Sequence, residues 1–440
     1  MKRHCLLVSA LTFSASVSAD FFQEMDTQAG ASAQSKGPWQ HRAWVQQVTG
    51  FGYRSPASNS RRSRPDFSRA ETQLYGQLGW QSDTWRLRLA GGLVHDWLPD
   101  LEQRTNWSGD QFSDTQADAR QWRFEPADSY ISWQGDRWWI RGGYQTLAWG
   151  QAESQRITDV LSRRDQRWPG QEELKDMRLP VPAVRIALEQ TLDIVLLPSM
   201  PADRAAAAGE EFDLYGQWRD TRIETHRGDN PGWALRWSSN VPGWDFQGIV
   251  ADTYSFERYP SITFQDNGQP GIELSPWRQQ MLGVVIQAGQ RNWVWRTEQA
   301  WLWGVRVMPN DPTKPWSEHE QWRAMVSGEY SGIQNLTLTF EVSSRWTRDH
   351  HEGLSEDAWQ TGFNVRVAYR MMNDQLTLTS QVVGLPGGQG EIFRTSADWD
   401  LSDNWGLGLA WVDYRATRET DQLYPFRHND TLLFTARRNF

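Results

Sequence analysis

The 440-residue chain is short of cysteine, of long apolar runs and of basic charge, and each shortage excludes something. Its single cysteine, Cys5, lies in an amino-terminal stretch that opens with Lys2 and Arg3, runs through apolar residues from Leu6 to about Val17, and reaches Val17-Ser18-Ala19 ahead of Asp20. That is the pattern of a secretory leader, residues 1–19, removed before folding. The mature chain is then expected to hold no thiol, hence no disulfide, no cysteine nucleophile and no cysteine-based metal site. After Ala19 no window approaches the roughly 18 consecutive apolar residues of a membrane-spanning helix. Acidic residues outnumber basic ones by 54 to 45, and losing Lys2 and Arg3 sharpens the imbalance, which argues against nucleic acid as a partner. Enzyme signatures are scarce as well. Neither His319-Glu320 nor His351-Glu352 is completed to His-Glu-x-x-His, and neither a Gly-x-Ser-x-Gly elbow nor a phosphate loop is present.

What the chain has in excess is tryptophan, 28 residues of it. The mean hydropathy of −0.70 is low, yet a membrane wall of strands alternates lipid-facing and lumen-facing residues and so has an unremarkable average. Aromatic residues concentrate where such a wall meets the two membrane interfaces. A soluble β-sandwich is the competing reading, but it offers no core for so many large rings.

From Trp39 onward the pattern is regular, with residues 20–38 read as a flexible tail. Eight short polar turns sit between alternating runs: 81–84, 134–137, 190–193, 240–243, 289–292, 332–335, 372–375 and 401–404. In the first pair, Leu74, Leu78, Trp80, Trp85, Leu87 and Leu89 share one face while Glu71, Gln73, Tyr75, Gln77, Arg86 and Arg88 share the other. Residues 336–346 alternate most cleanly, with Leu336, Leu338, Phe340 and Val342 opposite Thr337, Thr339, Glu341 and Ser343. Tight turns favour antiparallel neighbours. Tryptophans flank several of them, as in Trp80 with Trp85 and Trp133 with Trp138, and predict an aromatic girdle at that end. The other connections are long, notably 99–126, 152–180, 202–230 and 257–276.

The predicted fold is all-β: one transmembrane, antiparallel, up-and-down β-barrel over residues 39–440, with short periplasmic turns and long extracellular loops. Eight hairpins, a first strand near 41–54 and a last strand near 429–440 make about 18 strands. Sixteen is the alternative, because Pro182 and Pro198 interrupt residues 181–201 and the first strand alternates poorly. The last strand places Leu432, Phe434, Ala436, Arg438 and Phe440 on one face. Its aromatic terminal residue resembles that of bacterial outer-membrane barrels, whose assembly machinery reads the final strand, so Phe440 is the expected assembly signal.

A second resemblance lies within residues 129–189. Arg141-Gly142-Gly143-Tyr144-Gln145, then Trp149-Gly150-Gln151, Asp159 and Leu179-Pro180-Val181-Pro182 resemble a family of Gram-negative outer-membrane barrels of unassigned function. Tyr144 departs from the basic residue usual there. Members are often encoded beside RND-type lipid exporters and a periplasmic lipid-binding-like protein, so the resemblance implies those as partners, alongside outer-membrane lipid.

A barrel of this size encloses an aqueous lumen unless loops fold into it. Its predicted inner face carries Arg86, Arg88, Arg141, Arg185, Arg236, Arg296, Arg366 and Arg370, with Glu71, Glu189, Glu298, Glu329 and Glu341. Two readings are open: a transverse field that selects solutes, or a ladder of structural ion pairs. The 152–180 loop, with Arg156, Arg163, Arg164, Arg167, Glu172, Glu173 and Asp176, is either a constriction or a solvated surface loop. Asp349-His350-His351-Glu352 offers imidazole and carboxylate to a divalent cation, but adjacent histidines do not converge readily on one ion, and no metal or cofactor is expected. The expected function is a passive outer-membrane channel or export component. The alternatives are an outer-membrane hydrolase using a histidine such as His350 or His428, and a plugged structural or adhesive barrel.

Overall fold

The computed structural model describes residues 37–55, 65–105, 121–189, 191–206, 210–213, 222–228, 230–264, 270–311 and 314–440. The expected leader, Cys5 and all of the expected tail except Gly37 and Pro38 lie outside the described residues.

Alternating residues over most of the chain form strands, in order β1 (Trp39–Gly52), β2 (Asp66–Gln81), β3 (Trp85–Asp96), β4 (Trp122–Pro126 and Ser129–Gln134), β5 (Trp138–Gln145) and β6 (Val181–Leu188). Next come β7 (Leu192–Leu197), β8 (Gly232–Val241), β9 (Trp244–Tyr254), β10 (Arg278–Gln290), β11 (Trp293–Val307) and β12 (Ser317–Ile333). The last are β13 (Leu336–Thr347), β14 (Trp359–Met371), β15 (Leu376–Gly384), β16 (Glu391–Ser402), β17 (Trp405–Arg415) and β18 (Thr431–Asn439). Every neighbouring pair is antiparallel, and the result is a closed 18-stranded barrel. All eight predicted turns join consecutive strands. β1 pairs with β2 from Trp39↔Trp80 to Gly52↔Asp66 and with β18 from Trp44↔Asn439 to Gly52↔Thr431, so the sheet has no free edge.

The 16-strand alternative fails for a local reason. Pro182 lies beyond the β6–β7 register, which ends at Leu196↔Val184, so its missing N–H breaks no bond on that side, and Pro198 follows the last residue of β7. β4 is one strand interrupted at Ala127-Asp128, because both of its segments pair with β3. Across that break Ser129 Oγ bonds the N and the O of Ala90, each at 2.9 Å, replacing ladder bonds with side-chain ones.

Leu74, Leu89, Val326, Val342 and Leu409 point outward and are exposed on the barrel exterior. Trp85, Trp138, Trp237, Trp244, Trp399 and Trp405 ring the turn end, and Trp97, Trp122, Trp233, Trp303, Trp359 and Trp411 stand further toward the loop end. Two belts of half-exposed indoles are what a chain crossing two interfaces needs. At the loop end, Arg222–Thr225, Tyr259–Phe264 and Pro270–Ser275 form a small separate sheet.

The inner face departs from expectation. It is polar around much of the wall, but toward the loop end of β6–β12 it carries buried Val195, Leu197, Ile249, Met281, Leu302 and Met325. These need an apolar partner inside the barrel.

Phe440 continues the β1–β18 seam, its N–H donating to Ala43 O at 2.9 Å and its ring lying 5.1 Å from the Arg438 guanidinium. Deleting Phe440 is expected to lower the yield of folded barrel in the outer membrane, measured by heat-modifiable gel mobility of membrane fractions; an unchanged yield would refute the role of this residue in assembly.

Candidate permeation site

The partner of the apolar wall is the connection between β5 and β6. These strands are paired from Trp138↔Leu188 to Gln145↔Val181, so residues 146–180 leave and re-enter the wall at one place. They fold inward. Leu147, Trp149, Ala152, Ile157, Val160 and Leu161 are buried against the inner faces of β6–β12. Each fully buried aliphatic side chain of this kind stabilises the arrangement by about 1.5–3 kcal/mol. The 152–180 stretch is therefore an internal septum rather than a surface loop.

Two wall carboxylates anchor it. Glu298 of β11, fully buried, accepts from the N–H of Gln151, of Ala152 (3.1 Å) and of Thr158 (3.3 Å), and from Thr158 Oγ1 (2.6 Å). Glu341 of β13 accepts from the N–H of Glu153 (2.9 Å) and of Ser154 (2.7 Å) and from the Ser154 hydroxyl. Four successive backbone donors, residues 151–154, thus end on two carboxylates, and bonds of this kind are charge-assisted and strong. Ser343 and Asn364 extend the anchor: Gln155 Nε2 donates to Ser343 Oγ at 2.7 Å, and Asn364 Nδ2 donates to Glu153 at 2.6 Å.

The far side of the septum is fastened by charge. Arg69 of β2 bridges Glu71 and Glu172, each at 2.9 Å, Arg167 holds Asp165 at 2.6 Å, and Arg156 holds Asp203 at 2.7 Å. Tyr414 Oη donates to Pro169 O at 2.6 Å. Gly170, at φ +73°, rests on Ile392 so closely that a Cβ would stand 2.4 Å from Ile392 Cγ2.

Turnward of the septum lie most of the arginines named from sequence. Arg86↔Ser132, Ser132↔Arg141 and Arg141↔Arg185 form one register row across β3–β6, so two arginines face each other directly. Like charges opposed across a ladder repel. Aromatic faces and one carboxylate offset this. Arg141 stands 3.8 Å from the Tyr130 ring and 4.4 Å from the Trp139 ring, while Arg185 and Arg236 share Asp193 at 2.6 and 3.0 Å. Arg236 also lies over Trp149 of the septum, at 4.9 Å. Arg88 lies against Tyr75 and Tyr130, and Arg296 bonds Gln287 (3.1 Å) and Glu329 (3.0 Å).

Other named residues are elsewhere. Glu298 and Glu341 are anchors of the septum, Glu71 belongs to its charged fastening, and Arg366 of β14 reaches Glu173 at 3.4 Å. Arg370 is exposed at the turn end. Glu189 is not on the inner face: it sits in the β6–β7 turn with φ 52° and pairs with Arg137 at 2.8 Å. His350 and His351 turn to different partners, Glu356 O (2.6 Å) and the Gly353 N–H (3.1 Å), and among the described residues no three His, Cys, Asp or Glu gather as a cation site. Ser317 Oγ meets His319 Nε2 at 2.8 Å, but the other ring nitrogen of His319 meets the Arg348 carbonyl rather than an acid. The roles of Asp193, Trp139 and Asn364 are not written in the sequence: Asp193 reads as the end of the 190–193 turn, and alternation sets Asn364 inward without distinguishing it from other lumen residues.

Asp176, in the short helix Leu174–Met177, is open to the lumen yet desolvated by the protein around it. That desolvation, with Glu173 and Glu172 adding to it and Lys175 and Arg394 opposing, pushes its carboxyl up to about 6. A raised carboxylate pKa means that ionisation is disfavoured in the folded lumen, so the penalty is absent at acid pH and complete above about 6. Above about pH 6 the ionised carboxylate repels anions in the lumen, so anion conductance is expected to rise on acidification from pH 7.5 to 5, and Asp176→Asn to abolish that step; single-channel recording across this range checks it. Glu298→Ala strands three backbone N–H groups and a hydroxyl, at about 1–3 kcal/mol each. It is expected to release the septum and raise conductance severalfold, while the barrel keeps its heat-resistant gel mobility.

A family model described as "Protein of unknown function (DUF1302)" matches residues 1–196. No curated protein matches the chain. Among solved structures, OccAB1 of Acinetobacter baumannii is 9% identical, with 92% of this chain and 98% of that one covered at a TM-score of 0.53. OccK9 (OpdG) of Pseudomonas aeruginosa is 9% identical, covering 92% and 99% at 0.50. A BenF-like porin from Pseudomonas fluorescens Pf-5 is 11% identical, covering 91% and 98% at 0.50. This chain has the closed β-barrel fold of the outer-membrane porins.

Proposed function

We propose that this protein is an outer-membrane channel through which small anionic solutes pass passively. They would enter the arginine-lined chamber at the periplasmic turn end or leave through it, and the septum would limit the passage. The observation that carries the reading is the direct opposition of Arg141 and Arg185 across β5–β6, beside Arg236, with Asp193 shared between two of the three. A wall built only for stiffness gains from alternating charge. An excess of one sign creates a field that attracts the opposite ion. Delivery to the outer membrane through the final strand, by the barrel-assembly machinery, is part of the same reading.

A second reading has one observation in its favour. The apolar inner wall of β6–β12 would tolerate a lipidic cargo whenever the septum moved aside, as would suit export in partnership with an RND-type exporter and a periplasmic carrier. Deleting the gene should then alter the distribution of envelope lipids or hydrophobic compounds and leave the uptake of small anions unchanged.

For the anion reading, reversal potentials of the reconstituted protein in a salt gradient are expected to show anion preference. The double variant Arg141→Gln, Arg185→Gln should lose most of it. If wild type shows no preference, or if the double variant loses thermal stability while selectivity is unchanged, the row is a structural ladder instead.

A further inference from the structure

The septum has two limbs that are held in different ways. Residues 147–161 are packed into the wall, whereas the short helix Leu174–Met177 has no buried residue and Lys175 is 62% exposed. The helix is fastened at both ends, by Arg69 to Glu172 at 2.9 Å before it and by Arg178 to Gly150 O at 3.0 Å after it, and charge alone holds the turn between them. Glu173 meets Arg366 at 3.4 Å and Lys175 at 3.3 Å, and Arg394 faces the same carboxylate. Arg366, Gln381 and Arg394 are consecutive in the register of β14, β15 and β16, so two arginines flank one neutral side chain on the inner wall. Glu153, Asp176 and Asp398 are the acids nearby; Glu153 is satisfied by Asn364 and Gln381, and Asp398 by Ser396. The Glu173 contact is single and long beside the two-pronged Arg185–Asp193 pair at 2.6 to 2.9 Å. Glu173 is also partly open to solvent, at 30%.

We infer that Arg366 and Arg394 on the wall form a carboxylate-binding site for the permeating solute, which the chain's own Glu173 occupies at rest, so that an arriving carboxylate displaces Glu173 and lets the Leu174–Met177 turn swing aside between its fastened ends. The inference rests on the channel reading and adds to it that the solute opens its own passage. A tethered competitor acts at an effective concentration on the order of millimolar, so a free carboxylate should open the channel over roughly millimolar to tens of millimolar.

The test is single-channel recording at constant ionic strength with propionate replacing chloride, and with neutral propionamide as control. In wild type, propionate and not propionamide should raise the open probability in a saturable way. Glu173→Gln should be open without propionate and insensitive to it, Glu173→Asp should still respond, and Arg366→Gln should conduct but lose the response. Anion-selective steps that ignore propionate in wild type, or an Arg366→Gln variant that responds as wild type does, would overturn the site and leave the channel reading standing. Absence of any conductance step in wild type and variants alike would overturn both.

Discussion

Hydrocarbon offers no partner to a backbone N–H or C=O, and each one left unpaired there costs several kcal/mol. A wall of strands in that solvent has to close, and here the seam between β1 and β18, from Trp44↔Asn439 to Gly52↔Thr431, satisfies the requirement. The other features of the barrel follow from it. Antiparallel pairing lets short turns join neighbours at one end, and alternation sends leucine and valine outward and arginine, glutamate and glutamine inward. The indole belts form where the wall meets water. Where β4 cannot continue its ladder with β3, the Ser129 hydroxyl takes both backbone groups of Ala90, so even the interruption obeys the pairing rule.

Closure creates a second constraint, because whatever folds into the lumen must also satisfy its own backbone there. The septum meets it by turning the N–H groups of residues 151–154 onto Glu298 and Glu341. A carboxylate without a cation beside it is expensive to bury. Several aligned donors make it tolerable, and the same donors would be costly without it, so anchor and septum depend on each other. This reciprocity, together with the apolar contacts of Leu147, Trp149, Ile157 and Leu161, separates a fixed limb from the Leu174–Met177 turn, which buries no residue. It also divides the lumen into a chamber of opposed arginines on the turn side and a dense network of ion pairs toward the loops.

Most of the residues named from the sequence stand at inward positions of their strands, because a period of two assigns a face without reference to any partner. Their tasks were not legible. Glu298 and Arg296 are two residues apart on one strand, and alternation treats them alike, yet one receives the septum backbone and the other pairs with Glu329. Glu189 was misplaced because the turn begins one residue earlier than expected, and its backbone there takes φ 52°. Asp193 went unnoticed at a turn boundary, although two arginines 43 and 8 residues away converge on it.

The sequence by itself determined the alternation, the eight turns, the indole belts and the strand order, since each is written in neighbours a few residues apart and in the solvent they must face. Only the tertiary structure decided that residues 146–180 lie inside the barrel. Their apolar residues could be buried equally well by another surface until the curvature of eighteen strands brought the inner faces of β6–β12 opposite them. It likewise decided which arginines oppose one another, because cross-strand register depends on where each strand begins, and a pairing such as Arg141 with Arg185 spans a connection whose path no local pattern records.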